Sequence, residues 1–139
     1  MREAIAIATL ALAACGAGSG EGLDQNGQPT GLQPTLASIQ DNVFTVTCAV
    51  PGCHGGTGAQ QGLRLDPGFS AGNLINVHSP QDPNLIRVVP GDPDASFLIQ
   101  KLQGADGLLG DRMPDGGPYL TTAQVNVIRQ WIQDGAPTQ

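Results

Sequence analysis

Large apolar side chains are scarce in this sequence. Its 139 residues include three Phe, one Tyr and one Trp, against 20 Gly and 11 Pro. A domain of about 100 residues with so few aromatic residues gains little stability from burial alone, and small domains of this kind usually depend on a disulfide, a metal or a cofactor. We therefore expect the fold to be completed by such a group.

Basic residues are also few, with six Lys and Arg against twelve Asp and Glu. Proteins that bind nucleic acid rely on clustered Lys and Arg to contact phosphates, and the sequence has no basic run. This charge balance argues against nucleic acid as a partner. An acidic surface keeps a domain soluble, and it also suits docking to a basic partner protein; the sequence leaves both interpretations open.

The N-terminus predicts export. Residues 1–14 form an apolar run too short to cross a bilayer as a stable helix. The run ends in Leu-Ala-Ala followed by Cys15, which resembles a bacterial lipoprotein signal peptide whose cysteine is lipidated after cleavage. A plain secretory signal peptide is the alternative. Both predict a mature protein without residues 1–14, on the oxidising, periplasmic side of the membrane. Gly16 in place of Asp after Cys15 slightly favours the outer membrane.

Residues 15–33 are rich in Gly, Ser and Gln without an apolar period, which predicts a flexible linker ahead of a domain over 34–139. Apolar spacing and capping residues within that domain predict an all-α fold, with three main helices joined by long irregular loops. The main helices are expected over 35–46, from the Asp92-Pro93 cap to Gly104, and over 121–134 after a Thr121-x-x-Gln124 capping box, with a short helical turn near 70–76.

One motif carries recognisable chemistry: Cys48, Cys53 and, immediately after it, His54. Two cysteines followed by a histidine are typical of a c-type haem attachment site, where the sulfurs add to the haem vinyl groups and the imidazole reaches the iron. The usual spacing has two residues between the cysteines, and this sequence has four. A turn at Pro51-Gly52 would shorten the span between the sulfurs.

A second feature supports a haem site. Met113 lies in a loop rich in Gly and Pro ahead of the last predicted helix. A thioether as the sixth iron ligand raises the reduction potential and is common in electron-transfer haem proteins. Met1 is removed with the signal peptide, so Met113 is the one thioether of the mature chain; the alternative is a methionine that fills a packing gap. His78 is another possible sixth ligand, although we expect it to be an exposed loop residue.

Residues 35–135 resemble a single-domain class I cytochrome c of exported bacterial proteins. The matching segments are CAVPGCH, RVVPGDPDASFLIQKL, GDRMPDGG and IRQWIQDGA. The resemblance implies a fold around one covalent haem c, with thioether bonds at Cys48 and Cys53, His54 as the proximal ligand and Met113 as the distal one. It also implies single-electron transfer to and from redox partner proteins rather than catalysis.

Other functions of the same residues stay open. A Cys48–Cys53 disulfide would give a haem-free structural or interaction lipoprotein. A zinc site would need both cysteines, His54 and His78. A catalytic thiol with a histidine partner is a further alternative, as is a haem sensor or a peroxidase-like enzyme in which Met113 is not bound to iron.

Arg87 and Arg112 are candidates to pair with the haem propionates, because a guanidinium matches a carboxylate; a surface arginine near an aspartate is the alternative for each. The apolar pocket residues predicted from the helical faces and loops are Phe44, Leu65, Leu98, Leu102, Tyr119, Ile128 and Trp131.

Overall fold

The computed structural model describes residues 31–139. The predicted signal peptide, the Cys15 lipidation site and most of the linker lie outside these residues. Within them the protein is helical, and it contains isolated β-bridges but no strand. No helix among residues 31–139 is long and apolar enough to cross a membrane. The predicted all-α class is therefore confirmed for the described part of the chain.

Helix α1 (Leu36–Ile39) begins at Thr35, whose hydroxyl accepts a hydrogen bond from the Ser38 amide at 3.3 Å. It continues as a π-helical segment, Gln40–Cys48, which ends two residues beyond the predicted limit. In a π-helix the hydrogen bonds run over five residues instead of four, so successive side chains turn through a smaller angle. Leu36, Ile39, Val43 and Val46 recur at helical spacing in the sequence, but Val46 is 63 % exposed in this segment.

Helix α2 (Ser70–Leu74) lies where a short helical turn was expected. Helix α3 (Phe97–Gln103) is shorter than predicted, because Asp92 and Pro93 form a separate turn instead of the helix start. The Asp92 carboxylate accepts from the Ala95 amide at 3.0 Å, and the Ser96 hydroxyl donates to the Asp92 carbonyl at 2.8 Å. These bonds delay the start of α3. It ends at Gly104, which has a φ of +68° and provides the left-handed cap expected there.

Helix α4 (Thr122–Gln133) has the predicted capping box between Thr121 and Gln124. One face of α4 is buried in the core, and Trp131 on that face has no exposed surface. The indole Nε1–H of Trp131 donates to the Pro137 carbonyl at 2.9 Å, which holds the C-terminal residues against the helix. The other fully or almost fully buried large side chains are Phe44, Ile39, Leu74, Ile99, Ile128, Ile132, Val43 and Val88.

A buried polar network joins the π-helical segment to α2 and the loop between them. The side-chain Nε2 of Gln40 donates to the Leu65 carbonyl at 2.8 Å, and the Ser70 hydroxyl donates to the Gln40 side-chain oxygen at 2.5 Å. Ser70 also lies 3.1 Å from the Leu65 carbonyl. Because buried polar groups need partners, these bonds fix the position of Leu65 relative to both helices.

A cavity between the cysteine loop and the Met113 loop

The candidate site is a cavity of about 650 Å³, a size typical of pockets for small molecules and cofactors. Its walls come from the end of the π-helical segment, the loop after it, helix α3 and the loop before α4. Cys48, Cys53, His54 and Met113 all line this cavity. The structure thus brings together four side chains that lie up to 65 residues apart in the sequence.

The loop from Cys48 to His54 is closed at its base and turned at its tip. The Cys53 amide donates to the Val50 carbonyl at 3.1 Å, and Gly52 has a φ of +85°. Pro followed by a left-handed Gly is the pattern of a type II turn, so the predicted turn at Pro51-Gly52 is confirmed. At the base, the His54 amide donates to the Cys48 carbonyl at 3.0 Å. The turn therefore accommodates the four-residue spacing and returns His54 to Cys48.

Gly55, the next residue, packs against the start of the same loop. A Cβ atom at Gly55 would collide with the carbonyl oxygen of Ala49. Any larger residue would therefore have to push the two ends of the loop apart. The sequence shows the glycine but not this reason for it, because the contact depends on the closed loop.

The imidazole of His54 is half-buried and oriented by its backbone surroundings. Its Nδ1 lies 3.1 Å from the carbonyl oxygen of Leu63. A neutral imidazole that donates from Nδ1 keeps the lone pair on Nε2, which is the arrangement that metal-binding histidines use. Burial lowers the pKa of His54, and the charges of Arg87 and Lys101 lower it further, so the neutral form is favoured.

Residues just after the histidine hold this loop in place. The Leu65 amide donates to the His54 carbonyl at 2.8 Å, and Asp66 Oδ2 accepts from the Gly56 amide at 2.8 Å. Arg64 Nε also donates to Asp66 Oδ2, at 2.6 Å. The bonds from Arg64 and Gly56 lower the pKa of Asp66, which keeps it an acceptor.

Met113 reaches the cavity on a loop attached to helix α3. The Met113 amide donates to the Lys101 carbonyl at 2.9 Å, and Arg112 Nε donates to the Leu102 carbonyl at 3.0 Å. The guanidinium of Arg112 then lies over the Tyr119 ring, 4.1 Å from its centroid. Arg112 and Tyr119 are thus engaged with each other, and neither lines the cavity. Tyr119, a predicted pocket residue, is therefore not among the residues that line the cavity, and neither is the candidate propionate partner Arg112.

Two buried cations, Arg87 and Lys101, contribute to the cavity wall. They are 7 % and 8 % exposed, and burial lowers the pKa of each. The Arg87 guanidinium donates to the carbonyls of Asn73 and Gln61, at 2.8 and 2.7 Å. Ion pairs within residues 31–139 are Arg64–Asp66 and Arg129–Asp94, so neither buried cation is paired with a carboxylate there. Asp111 and Asp115 also line the cavity, so its wall carries two buried cations and two carboxylates.

The other predicted pocket residues divide between the cavity and the core. Leu65, Leu98 and Leu102 line the cavity as expected. Phe44, Ile128 and Trp131 do not, because they are packed in the core. Some lining residues were not predicted from the sequence, although Phe97 and Lys101 lie four positions apart on one helical face, a spacing that indicates a shared surface. The missed residues include Leu63, Leu74, Phe97 and Lys101.

The zinc alternative is wrong for the described residues. His78 is exposed, as expected, and its Nδ1 lies 2.7 Å from the Pro83 carbonyl, away from the cavity lining. Among residues 31–139 no group of three His, Cys, Asp or Glu side chains is arranged to hold a metal ion. Cys48 and Cys53 are both free thiols in the structure.

The two thiols differ in their surroundings, which predicts different reactivity. Burial, together with the nearby Cys53, raises the pKa of Cys48 from 9.0 to about 11, whereas Cys53 is exposed. Such a rise lowers the thiolate fraction about 100-fold at neutral pH, and the thiolate is the reactive form. In reduced, haem-free protein we expect iodoacetamide to modify Cys53 at least roughly tenfold faster than Cys48. Peptide mass spectrometry would measure both rates; equal rates in the folded protein would contradict the burial of Cys48.

No family model, curated protein or solved structure matches the chain. What bears on its function is the cavity and the set of donor atoms that line it.

Proposed function

We propose that the protein carries single electrons by means of one haem c, bound covalently in the cavity of a cytochrome c-like domain. The observation that supports this most strongly is the convergence of Cys48, Cys53, His54 and Met113 on one cavity. Two thiols, an imidazole and a thioether are the side chains that c-type haem attachment and His/Met ligation use. The cavity volume of about 650 Å³ also falls within the range of cofactor pockets.

Each residue has a distinct part in this proposal. Cys48 and Cys53 would hold the haem through thioether bonds, and His54 Nε2 and Met113 Sδ would fill the two axial positions. The haem supplies the one-electron redox chemistry when bound. The protein excludes water with the leucines at 65, 98 and 102 and keeps His54 in one tautomer through the Leu63 carbonyl. If both His54 and Met113 held the iron, no position would remain open to substrate, so this donor set favours electron transfer over catalysis.

Arg87 fits the carboxylates of such a group better than Arg112 does. It lines the cavity, whereas Arg112 lies over Tyr119. A guanidinium has five N–H groups, so the two bonds that Arg87 makes to backbone carbonyls leave others to donate. A buried cation without an acidic partner is also stabilised by an anionic ligand. We therefore assign the propionates to Arg87 in this proposal.

The cellular setting is part of the same proposal. A lipid anchor on Cys15 would hold the domain on the periplasmic side, with the outer membrane slightly preferred, and residues 15–33 would act as the tether. Its partners would be redox proteins, and the net charge of −6 suits partners with a basic docking face.

Expression of the full chain together with a haem-attachment system tests the proposal. We expect a red protein whose haem is retained after denaturation, with a sharp ferrous α band and no ready binding of carbon monoxide. Cys48→Ser and Cys53→Ser should each leave one thioether bond, and the double variant should lose covalent haem. A colourless protein, lighter by two hydrogens than its reduced form, would overturn the proposal in favour of the disulfide. Ready binding of carbon monoxide would instead favour the sensor or peroxidase-like alternative.

A further inference from the structure

Lys101 contacts the Met113 loop at three points. Its Nζ donates to the Leu109 carbonyl at 2.8 Å and to the Asp111 carbonyl at 3.0 Å. Its own backbone carbonyl accepts from the Met113 amide at 2.9 Å. A single residue of α3 thus holds three positions within five consecutive loop residues.

The loop has few other attachments at this point. Residues 104–120 contain no helix or strand, and the bond from Gly117 to the Pro114 carbonyl is local to the loop. Within the described residues, the hydrogen bonds of residues 109–113 all go to Lys101 and Leu102 of α3. Without the ammonium of Lys101, the carbonyls of Leu109 and Asp111 would lose the partners that draw this part of the loop onto the helix.

Gly110 shows that the loop is closely fitted around the ammonium. It lies between the two carbonyls that Lys101 binds, and its φ is +72°. A Cβ atom at Gly110 would lie 3.0 Å from Lys101 Nζ and 3.1 Å from Gln81 Nε2. A side chain at this position would therefore be strained in the backbone and would crowd both polar groups.

We infer that Lys101 is a positioning residue that holds the Met113 thioether at the cavity by binding the loop carbonyls on either side of Gly110. The role of the thioether as an iron ligand rests on the proposed function, whereas the attachment of the loop does not. An ammonium removed from water must donate its hydrogen bonds within the protein, and the carbonyls of Leu109 and Asp111 accept them. The nearby carboxylates of Asp111 and Asp115 favour its charged form.

Lys101→Met is the direct test, since it keeps an unbranched side chain and removes the donors. Hydrogen exchange of the purified protein should be faster by roughly tenfold or more at the Met113 amide, which is the backbone amide of residues 109–113 that donates to α3, because this segment then opens locally. In haem-loaded protein the reduced form should bind carbon monoxide more readily and the reduction potential should fall. Lys101→Arg restores a donor and should recover part of the protection and of the potential.

Arg129→Met is the matched control, because it removes a cation from the exposed ion pair with Asp94, away from the Met113 loop. It should leave the exchange at 109–113 and the potential unchanged. If Lys101→Met behaves like this control in both measurements, the inference is overturned. If wild-type protein carries no haem, the proposed function fails while the exchange measurement still decides the role of Lys101.

Gly110→Ala tests the same attachment with Lys101 intact, and it decides the question if Lys101→Met does not fold. Crowding of Nζ and strain at Gly110 should again loosen residues 109–113 and speed exchange at the Met113 amide. Unchanged exchange in Gly110→Ala would contradict the close fit of the loop around the ammonium.

Discussion

Replacement of Met113 with alanine is expected to leave the haem attached, lower its reduction potential and open the iron to carbon monoxide. Attachment depends on the Cys48–His54 loop, and the Met113 amide keeps its bond to the Lys101 carbonyl whatever the side chain is. Axial ligands set haem potentials over roughly 0.8 V, so loss of the thioether should lower the potential by on the order of 0.1 V or more. Redox titration and carbon monoxide binding measure the two effects.

Two further variants serve as controls for this prediction. His78→Ala removes an exposed histidine that does not line the cavity, so its potential should equal that of the wild type. His54→Ala should abolish normal ligation, because within residues 31–139 its imidazole is the one aromatic nitrogen donor on the cavity wall. A Met113→Ala protein that keeps the wild-type potential would show that another group fills the sixth position.

Replacement of Trp131 with alanine should destabilise the fold more than any surface change. The side chain has no exposed surface, and its indole N–H satisfies the Pro137 carbonyl. Truncation of a buried aromatic residue to alanine costs about 3–5 kcal/mol, a large share of the roughly 5–15 kcal/mol that stabilises a domain. Denaturant unfolding of the protein, with and without haem, would measure the loss of unfolding free energy.

Val46→Ala provides the control, since Val46 is 63 % exposed and its truncation should change the unfolding free energy by less than about 0.5 kcal/mol. Trp131→Phe keeps most of the apolar volume and removes the hydrogen bond. The unfolding free energy that it loses should therefore lie between the losses in Val46→Ala and Trp131→Ala. Equal costs for Trp131→Ala and Val46→Ala would contradict both the burial of the indole and the exposure of the valine.

Features with a local cause were predictable from the sequence. The capping box at Thr121, the left-handed cap at Gly104 and the turn at Pro51-Gly52 each depend on the preferences of a few neighbouring residues. The helix at 35–46 was also foreseen, but its π-helical winding was not. Apolar spacing assumes regular α-helical geometry, which is why it groups the exposed Val46 with the buried Ile39 and Val43.

Features that depend on tertiary contacts were not predictable in the same way. Helix α3 begins at Phe97 and not at the predicted Asp92-Pro93 cap, because the Ser96 hydroxyl donates to the Asp92 carbonyl instead of extending the helix. The spacing of apolar residues along a helix shows which face is buried, but not whether that face meets the core or the cavity. Phe44 was therefore assigned to the cavity, although it lies in the core. The attachment of the Met113 loop by Lys101 leaves no sequence pattern, since it joins one side chain to backbone carbonyls eight and ten residues away.

The closed base of the cysteine loop affects how its length can vary during evolution. Pro51 and Gly52 are exposed at the tip, whereas the amide of His54 and the carbonyl of Cys48 are joined below them. Residues inserted or deleted at the tip would change the cysteine spacing in the sequence while the imidazole stayed in place. The hydrogen bond at the base therefore defines this loop better than a fixed number of residues between the two cysteines. A search for related sites should allow the number of residues at the tip to vary.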